Sequence, residues 1–164
     1  MKDRQNWITS VTTNKKLLSL VKILLLVLVV MVANRLVQSY LGASAYEETG
    51  LGDLNLSEAV QTAKSTERLV LADLSAVWCP SCRKLDKQVL SQPEVKGVIN
   101  QSYVFTRIEY DSEQGEAFMQ KFDVSGFPTL LVLDDNGDKL VQLPLTFDPD
   151  KFQNLLKQAA IKFN

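Results

Sequence analysis

Residues 23–33 carry no polar side chain at all, and the apolar character begins at Leu17 with only Ser19 and Lys22 interrupting it. Such a stretch cannot form the single apolar stripe of a surface helix, because its surface is apolar all round. Leu36, Val37, Tyr40 and Leu41 carry the hydrophobicity past Asn34 and Arg35. A helix needs about 20 mostly apolar residues to cross a bilayer. Residues 17–41 supply them, with Lys22 and Arg35 snorkelling toward the two interfaces. Lys15 and Lys16 stand just before the run. By the positive-inside rule they keep residues 1–16 cytoplasmic and send the rest across. The expectation is a single-pass protein of the cytoplasmic (inner) membrane, its C-terminal part facing the periplasm or the extracellular side. A cleaved signal peptide is the alternative, because Ala43-Ser44-Ala45 resembles a cleavage site. Both readings export the body of the protein.

The charge distribution agrees with two surroundings. Residues 1–45 carry a net +5 and the remainder a net −6, within an overall charge of −1. The acidic part has no basic run and no interleaved aromatic patch, so nothing suggests nucleic-acid binding. Apolar residues make up 46% of the chain, enough for a folded domain. There is no histidine, which removes Ser-His-Asp and Cys-His catalysis and any His-ligated metal. The two cysteines cannot complete a four-cysteine zinc site within one chain, and no metal site is expected.

Residues 42–56 contain glycines, small residues and acids without clear periodicity, and read as a linker. A domain then runs over residues 57–164. Ser57 caps a helix through Glu58, Ala59, Val60 and Ala63. Residues 69–74 form a buried strand. Pro80 starts a helix carrying Leu85, Val89 and Leu90, which Pro93 ends or kinks, and residues 95–99 add a turn or two. Residues 103–110 alternate as a strand. Ser112 precedes a helix through Phe118, Met119 and Phe122. Residues 129–133 and 139–143 form a hairpin about Asp135-Asn136-Gly137-Asp138. Asp148 and Pro149 open a last helix. This order implies an α/β fold, a mixed central sheet flanked by helices.

Chemistry concentrates in Trp78-Cys79-Pro80-Ser81-Cys82. The cysteines follow a buried strand and open a helix, where unpaired N–H groups favour an anion and so a Cys79 thiolate. Cys82, one turn on, can attack a mixed disulfide at Cys79 and release the substrate. Pro80 fits the first helical position without losing a hydrogen bond. A structural disulfide, or half of a metal site shared between chains, are the alternatives at this point.

The chain resembles the thioredoxin superfamily over roughly residues 57–162. Asp73-Leu74-Ser75-Ala76-Val77-Trp78-Cys79-Pro80-Ser81-Cys82 is similar to its strand-to-active-site segment, and Gly126-Phe127-Pro128-Thr129 to its cis-proline loop. Cys82-Arg83-Lys84-Leu85-Asp86-Lys87 and Ser91-Gln92-Pro93-Glu94-Val95 look most like the C-terminal, periplasm-facing domain of the disulfide-interchange reductase DsbD. The resemblance implies a thiol–disulfide oxidoreductase with no cofactor beyond a redox-active Cys79–Cys82 disulfide. Its partners would be protein disulfide substrates and a membrane electron donor. It implies a cis Pro128 beside the sulfurs, and a Phe127 backbone that pairs with an extended substrate. Trp78 and Pro80 would border the substrate. Asp73 would be a buried acid that accepts the Cys82 proton, and Asp86 a second acid near the site. The blander alternatives are a loop proline at 128, a polar strand end at Asp73, a solvated helix position at Asp86 and core packing for Trp78. The Pro80-Ser81 pair lacks the histidine often found in strong oxidases of the superfamily, which favours a reductase. A disulfide-forming oxidase and a non-enzymatic adaptor or metal-handling protein are the competing functions.

Overall fold

The computed structural model describes residues 2–52 and 54–163, with side chains from residue 15 onward. Met1, Asp53 and Asn164 lie outside the described residues, and with them one end of the expected segment 1–16, one position of 42–56 and the last position of 57–164. Helix α1 spans Lys2–Thr49, and its part Lys15–Thr49 is long and apolar enough to cross a membrane by length and composition. Leu24, Leu25, Leu26 and Val27 are all exposed although consecutive, so the apolar surface runs round the whole helix. The chain divides into two compact units, residues 1–37 and 38–164.

That division corrects the linker expected at 42–56. Residues 42–49 are helical and belong to the second unit. Gly42, Ala45 and Thr49 are buried, at the three- and four-residue spacing of one helix face. The face is built of small side chains, so it leaves no hydropathy period in the sequence, while Ala43, Ala45, Glu47 and Glu48 are good helix formers. Only the short stretch from Gly50, at φ 62°, to Asn55 connects α1 to α2 (Leu56–Thr66). The cap of α2 also differs from expectation. Asn55, not Ser57, accepts from the Glu58 N–H (3.0 Å), and the Glu58 carboxylate accepts from the Asn55 N–H (3.0 Å). This reciprocal pair satisfies two N–H groups that one serine would leave to water.

The remaining elements follow in the expected order. They are β1 (Leu69–Ser75), α3 (Pro80–Leu85), a π-helical turn (Asp86–Leu90), α4 (Pro93–Ser102), β2 (Tyr103–Glu109), α5 (Glu113–Phe122), β3 (Thr129–Leu133), β4 (Lys139–Leu143) and α6 (Pro149–Phe163). Pro93 opens α4 at its first turn rather than ending the previous helix. In the hairpin between β3 and β4 Gly137 takes the positive φ, 79°. The sheet order is β2-β1-β3-β4, with β1 parallel to β2 and the other pairs antiparallel. This is the mixed α/β sheet expected.

Alternation along β1 sorts the core into two layers. Leu69 and Leu71 pack with Leu85, Val89, Ile99, Phe105, Phe152 and Leu156, under α3, α4 and α6. Val70, Ala72 and Leu74 pack with Ala59, Ala63, Phe118 and Phe122, under α2 and α5. Period two therefore puts Asp73 on the Leu69–Leu71 face, the side of the sheet covered by α3, α4 and α6.

The capping pair gives a stability test. Asn55→Ala removes one acceptor from the first turn of α2, and should destabilise the second unit by about 1 kcal/mol in denaturant unfolding. Ser57→Ala should change it little, and the reverse ranking would return the cap to Ser57.

Candidate active site

The site begins where β1 ends. Ala76 O accepts from the Cys79 N–H (2.9 Å), closing a turn that delivers Cys79 to the N-cap of α3, with Pro80 next in the helix. Cys79 and Cys82 are joined as a disulfide with Cα atoms 5.3 Å apart. Both are buried, at 3% and 2% exposure. The Cys79 Sγ accepts from the Cys82 N–H at 3.1 Å and lies 3.1 Å from the Ser81 Oγ. Once reduced, a Cys79 thiolate would keep two donors there, a backbone N–H and a hydroxyl. The hydroxyl is a contribution that the sequence reading did not assign to Ser81.

Two acids at the end of β2 hold the approach to the cysteines. Both Glu109 carboxylate oxygens accept from the Val77 N–H, at 3.2 and 3.1 Å. Asp111 Oδ2 accepts from Trp78 Nε1 at 2.8 Å. Burial pushes the Glu109 carboxyl above the usual carboxylate range, against the pull of the Val77 N–H. The Trp78 ring meets Phe127 edge to face, centroids 5.4 Å apart, and the Tyr110 ring packs tilted against the same Phe127, centroids 4.5 Å apart. These three rings pack against Ala76, Cys79 and Cys82. The Phe127-Pro128 peptide bond is cis and Pro128 is buried. Pro80 is exposed at the mouth of the helix.

Asp73, Asp86 and Arg107 form a buried charged cluster, of which sequence reasoning named the two acids. Asp73 is fully buried, and its Oδ2 accepts from Arg107 Nε (3.1 Å) and Nη2 (2.6 Å). Asp86, 1% exposed, accepts from the same guanidinium through both oxygens, one contact being Nη1 to Oδ2 at 3.1 Å. Asp86 is thus a buried ion-pair member and not a solvated helix position. The π turn places it there: the Ser91 N–H reaches back five residues to Asp86 O, and the wider winding buries Leu85, Asp86, Val89 and Leu90 together. Arg107 was missed, yet it had a signal. Asp73 is the charged residue of β1 and Arg107 the basic residue of β2, and parallel pairing makes them direct partners.

Asp73 Oδ1 is buried with no hydrogen-bond partner among the described residues. Burial raises the Asp73 pKa above 3.8; Arg107 opposes the rise and the Asp86 charge adds to it. Arg107 itself loses stability as a cation through burial, but its two carboxylates outweigh that and raise its pKa further. Fully ionised, the cluster carries two negative charges and one positive. The unpartnered oxygen is the natural place for one proton.

A family model of the thioredoxin-like domain matches residues 56–160. The chain belongs to the thioredoxin-like family. Curated relatives include the thiol:disulfide interchange protein DsbD of Haemophilus influenzae (strain PittEE), 29% identical over 98 residues, 58% of this chain and 17% of that protein. DsbD of Tatumella citrea is 28% identical over 104 residues, 60% of this chain and 18% of the relative. The chain thus spans under a fifth of the length of these proteins. Among solved structures, a Thermus thermophilus thioredoxin superposes with a TM-score of 0.61 at 24% identity, covering 68% of this chain and 88% of that one. The oxidised C-terminal domain of Neisseria meningitidis DsbD gives 0.54 at 24% identity, over 63% and 92%. The resemblance to a DsbD-type thioredoxin domain therefore holds, and the Cys79-x-x-Cys82 pair on this fold is of the thiol–disulfide oxidoreductase type.

The raised Asp73 pKa has a sign that stability reads directly. A folded carboxyl above its unfolded value of 3.8 contributes stability that is fully present below that value and lost as pH rises through the folded pKa. Asp73→Asn should therefore stabilise the oxidised chain relative to the parent at about pH 8, with the advantage shrinking toward about pH 4. Denaturant midpoints across that range measure it; an advantage that grows on acidification would contradict the assignment.

Proposed function

We propose that the chain is a membrane-anchored protein disulfide reductase. The observation that supports this best is the net negative cluster at the end of α3, the helix that Cys79 caps, in which Arg107 is already taken up by Asp73 and Asp86. A thiolate at Cys79 gains the Cys82 N–H and the Ser81 hydroxyl, and the chain has no histidine to add an imidazolium beside it. Its stabilisation is moderate, so the disulfide is comparatively stable and the dithiol gives up electrons readily.

The reaction uses the two sulfurs in turn. Cys79 as thiolate attacks a client disulfide, forming a mixed disulfide and expelling one client thiolate. Asp73 accepts the Cys82 proton, and the Cys82 thiolate attacks the Cys79 sulfur. The second client sulfur leaves as thiolate, and Cys79–Cys82 is formed. Two electrons pass to the client, and a membrane electron donor restores the dithiol. The buried carboxyl is the base because its raised pKa brings it toward the range of working proton acceptors. Trp78, Phe127, Pro80 and the cis Pro128 form the surface that meets the client, the Phe127 backbone pairing with an extended segment. The anchor in residues 17–41 keeps the domain at the outer face of the inner membrane and raises its effective concentration at a membrane donor.

Cellular redox state tests the direction. With the donor present, acid quenching followed by thiol alkylation should find Cys79 and Cys82 mostly reduced. Cys82→Ser should accumulate mixed disulfides with exported proteins, and Cys79→Ser should not. A parent chain found mostly oxidised at steady state would favour the disulfide-forming reading, and trapping by Cys79→Ser alone would exchange the roles of the sulfurs.

A further inference from the structure

Residues 38–49 do more than lead into the domain. Gly42 lies so close to the Val77 carbonyl that any Cβ there would force one of the two backbones aside. Val77 is therefore clamped on both sides two residues before Cys79, its carbonyl against Gly42 and its N–H on Glu109. Gln38 Oε1 accepts from Arg83 Nη1 at 2.7 Å, tying the same helix to α3. One turn after Gly42, the Tyr46 ring lies over the Arg107 guanidinium, 3.9 Å from Cζ to centroid. The ring is itself fixed: Tyr46 Oη donates to Gly52 O (3.0 Å), and Phe105 packs beside it. Gly42, Tyr46, Asp86, Arg107 and Glu109 share the wall of one cavity of about 400 Å³.

We infer that Tyr46 is a positioning residue of the redox site, holding the Arg107 guanidinium across Asp73 and Asp86 through its ring face. The inference rests on the reading of Asp73 as proton acceptor only for its consequence in turnover. The physical basis is general: a cation over an aromatic face is attracted by the ring and shielded from water by it. With the ring gone and the space still filled, Arg107 loses that hold and pulls less on the Asp73 carboxylate. The other charged groups facing this cluster are Glu109 on β2, Arg83 on α3 and Glu47 on α1, all lining the cavity. None of them replaces the ring, because each stands on a different element from Tyr46 or, for Glu47, is exposed.

The test uses the full chain in detergent, with two readouts. The carboxyl-carbon NMR signal of Asp73 in the oxidised protein gives its titration midpoint without any turnover. Tyr46→Leu, which keeps an apolar side chain but no ring, should move that midpoint up by about half a pH unit, a factor of about three in proton affinity. Tyr46→Phe, which keeps the ring beside Phe105 but loses the bond to Gly52 O, should shift it by clearly less than Tyr46→Leu. Gly42→Ala gives a second route, since it pushes the helix off Val77 and should shift the midpoint in the same direction. A midpoint unchanged in both Tyr46→Leu and Gly42→Ala, or Tyr46→Phe behaving as Tyr46→Leu does, overturns the inference. The second readout is the slower release of 5-thio-2-nitrobenzoate when the reduced chain reacts with its disulfide dimer, which reports resolution by Cys82. Below the parent midpoint, Tyr46→Leu should slow it about threefold. A shifted NMR midpoint with an unshifted second phase supports the placement of Arg107 by Tyr46 and refutes Asp73 as the proton acceptor.

Discussion

One guanidinium between two buried carboxylates sets terms for the rest of the domain. Burying a charge is costly unless it is paired and hydrogen-bonded, and here Arg107 answers both Asp73 and Asp86. Three separate features bring the groups together. Parallel pairing of β1 with β2 sets Asp73 opposite Arg107. The π turn after α3 brings Asp86 to the same guanidinium. Helix α1 lays Tyr46 on its outer face. Deleting Arg107 would leave two buried acids facing each other, a larger loss than the pair contributes when intact.

The same arithmetic governs the chemistry. Two acids and one cation leave a site that prefers to hold a proton, with Asp73 Oδ1 lacking any partner among the described residues. A proton acceptor is wanted when Cys82 must become a nucleophile and is a hindrance when Cys79 must stay a thiolate. In the proposed reaction the Cys82 N–H and the Ser81 hydroxyl are donors to the Cys79 thiolate. Unpaired acids near the sulfurs, the picture given by sequence, would overstate the negative field, since Arg107 cancels half of it. What remains is enough to distinguish this pair from one flanked by a histidine cation.

Much of this architecture was legible in the chain. The strands expected at 69–74, 103–110 and 129–133, found within one residue of those bounds, announced themselves by continuous apolar or β-branched runs, and Cys79-x-x-Cys82 at a strand-to-helix junction announced the chemistry. What stayed hidden had physical reasons. The face of residues 42–49 is made of glycine, alanine and threonine, which bury without raising hydropathy, so a docked helix looked like a linker. The cap of α2 moved to Asn55 because a carboxylate at Glu58 could answer it. Arg107 was passed over because a lone basic residue in a strand reads as an edge position until the register with Asp73 is known. The π turn has no sequence signature comparable to a helix cap, so the resemblance could name Asp86 only as a second acid near the site, and its burial was not foreseen.

Reduction potential measures the balance between thiolate and disulfide that this arrangement sets. Equilibrating the full chain with glutathione buffers of known ratio, and reading the Cys79–Cys82 pair by thiol alkylation, gives the midpoint directly. A value nearer that of thioredoxin, about −270 mV, than that of the oxidase DsbA, about −120 mV, is the result expected of a pair backed by net negative charge. A midpoint at the oxidase end would contradict it, and would mean that the two donors to Cys79 outweigh the Asp73 and Asp86 carboxylates.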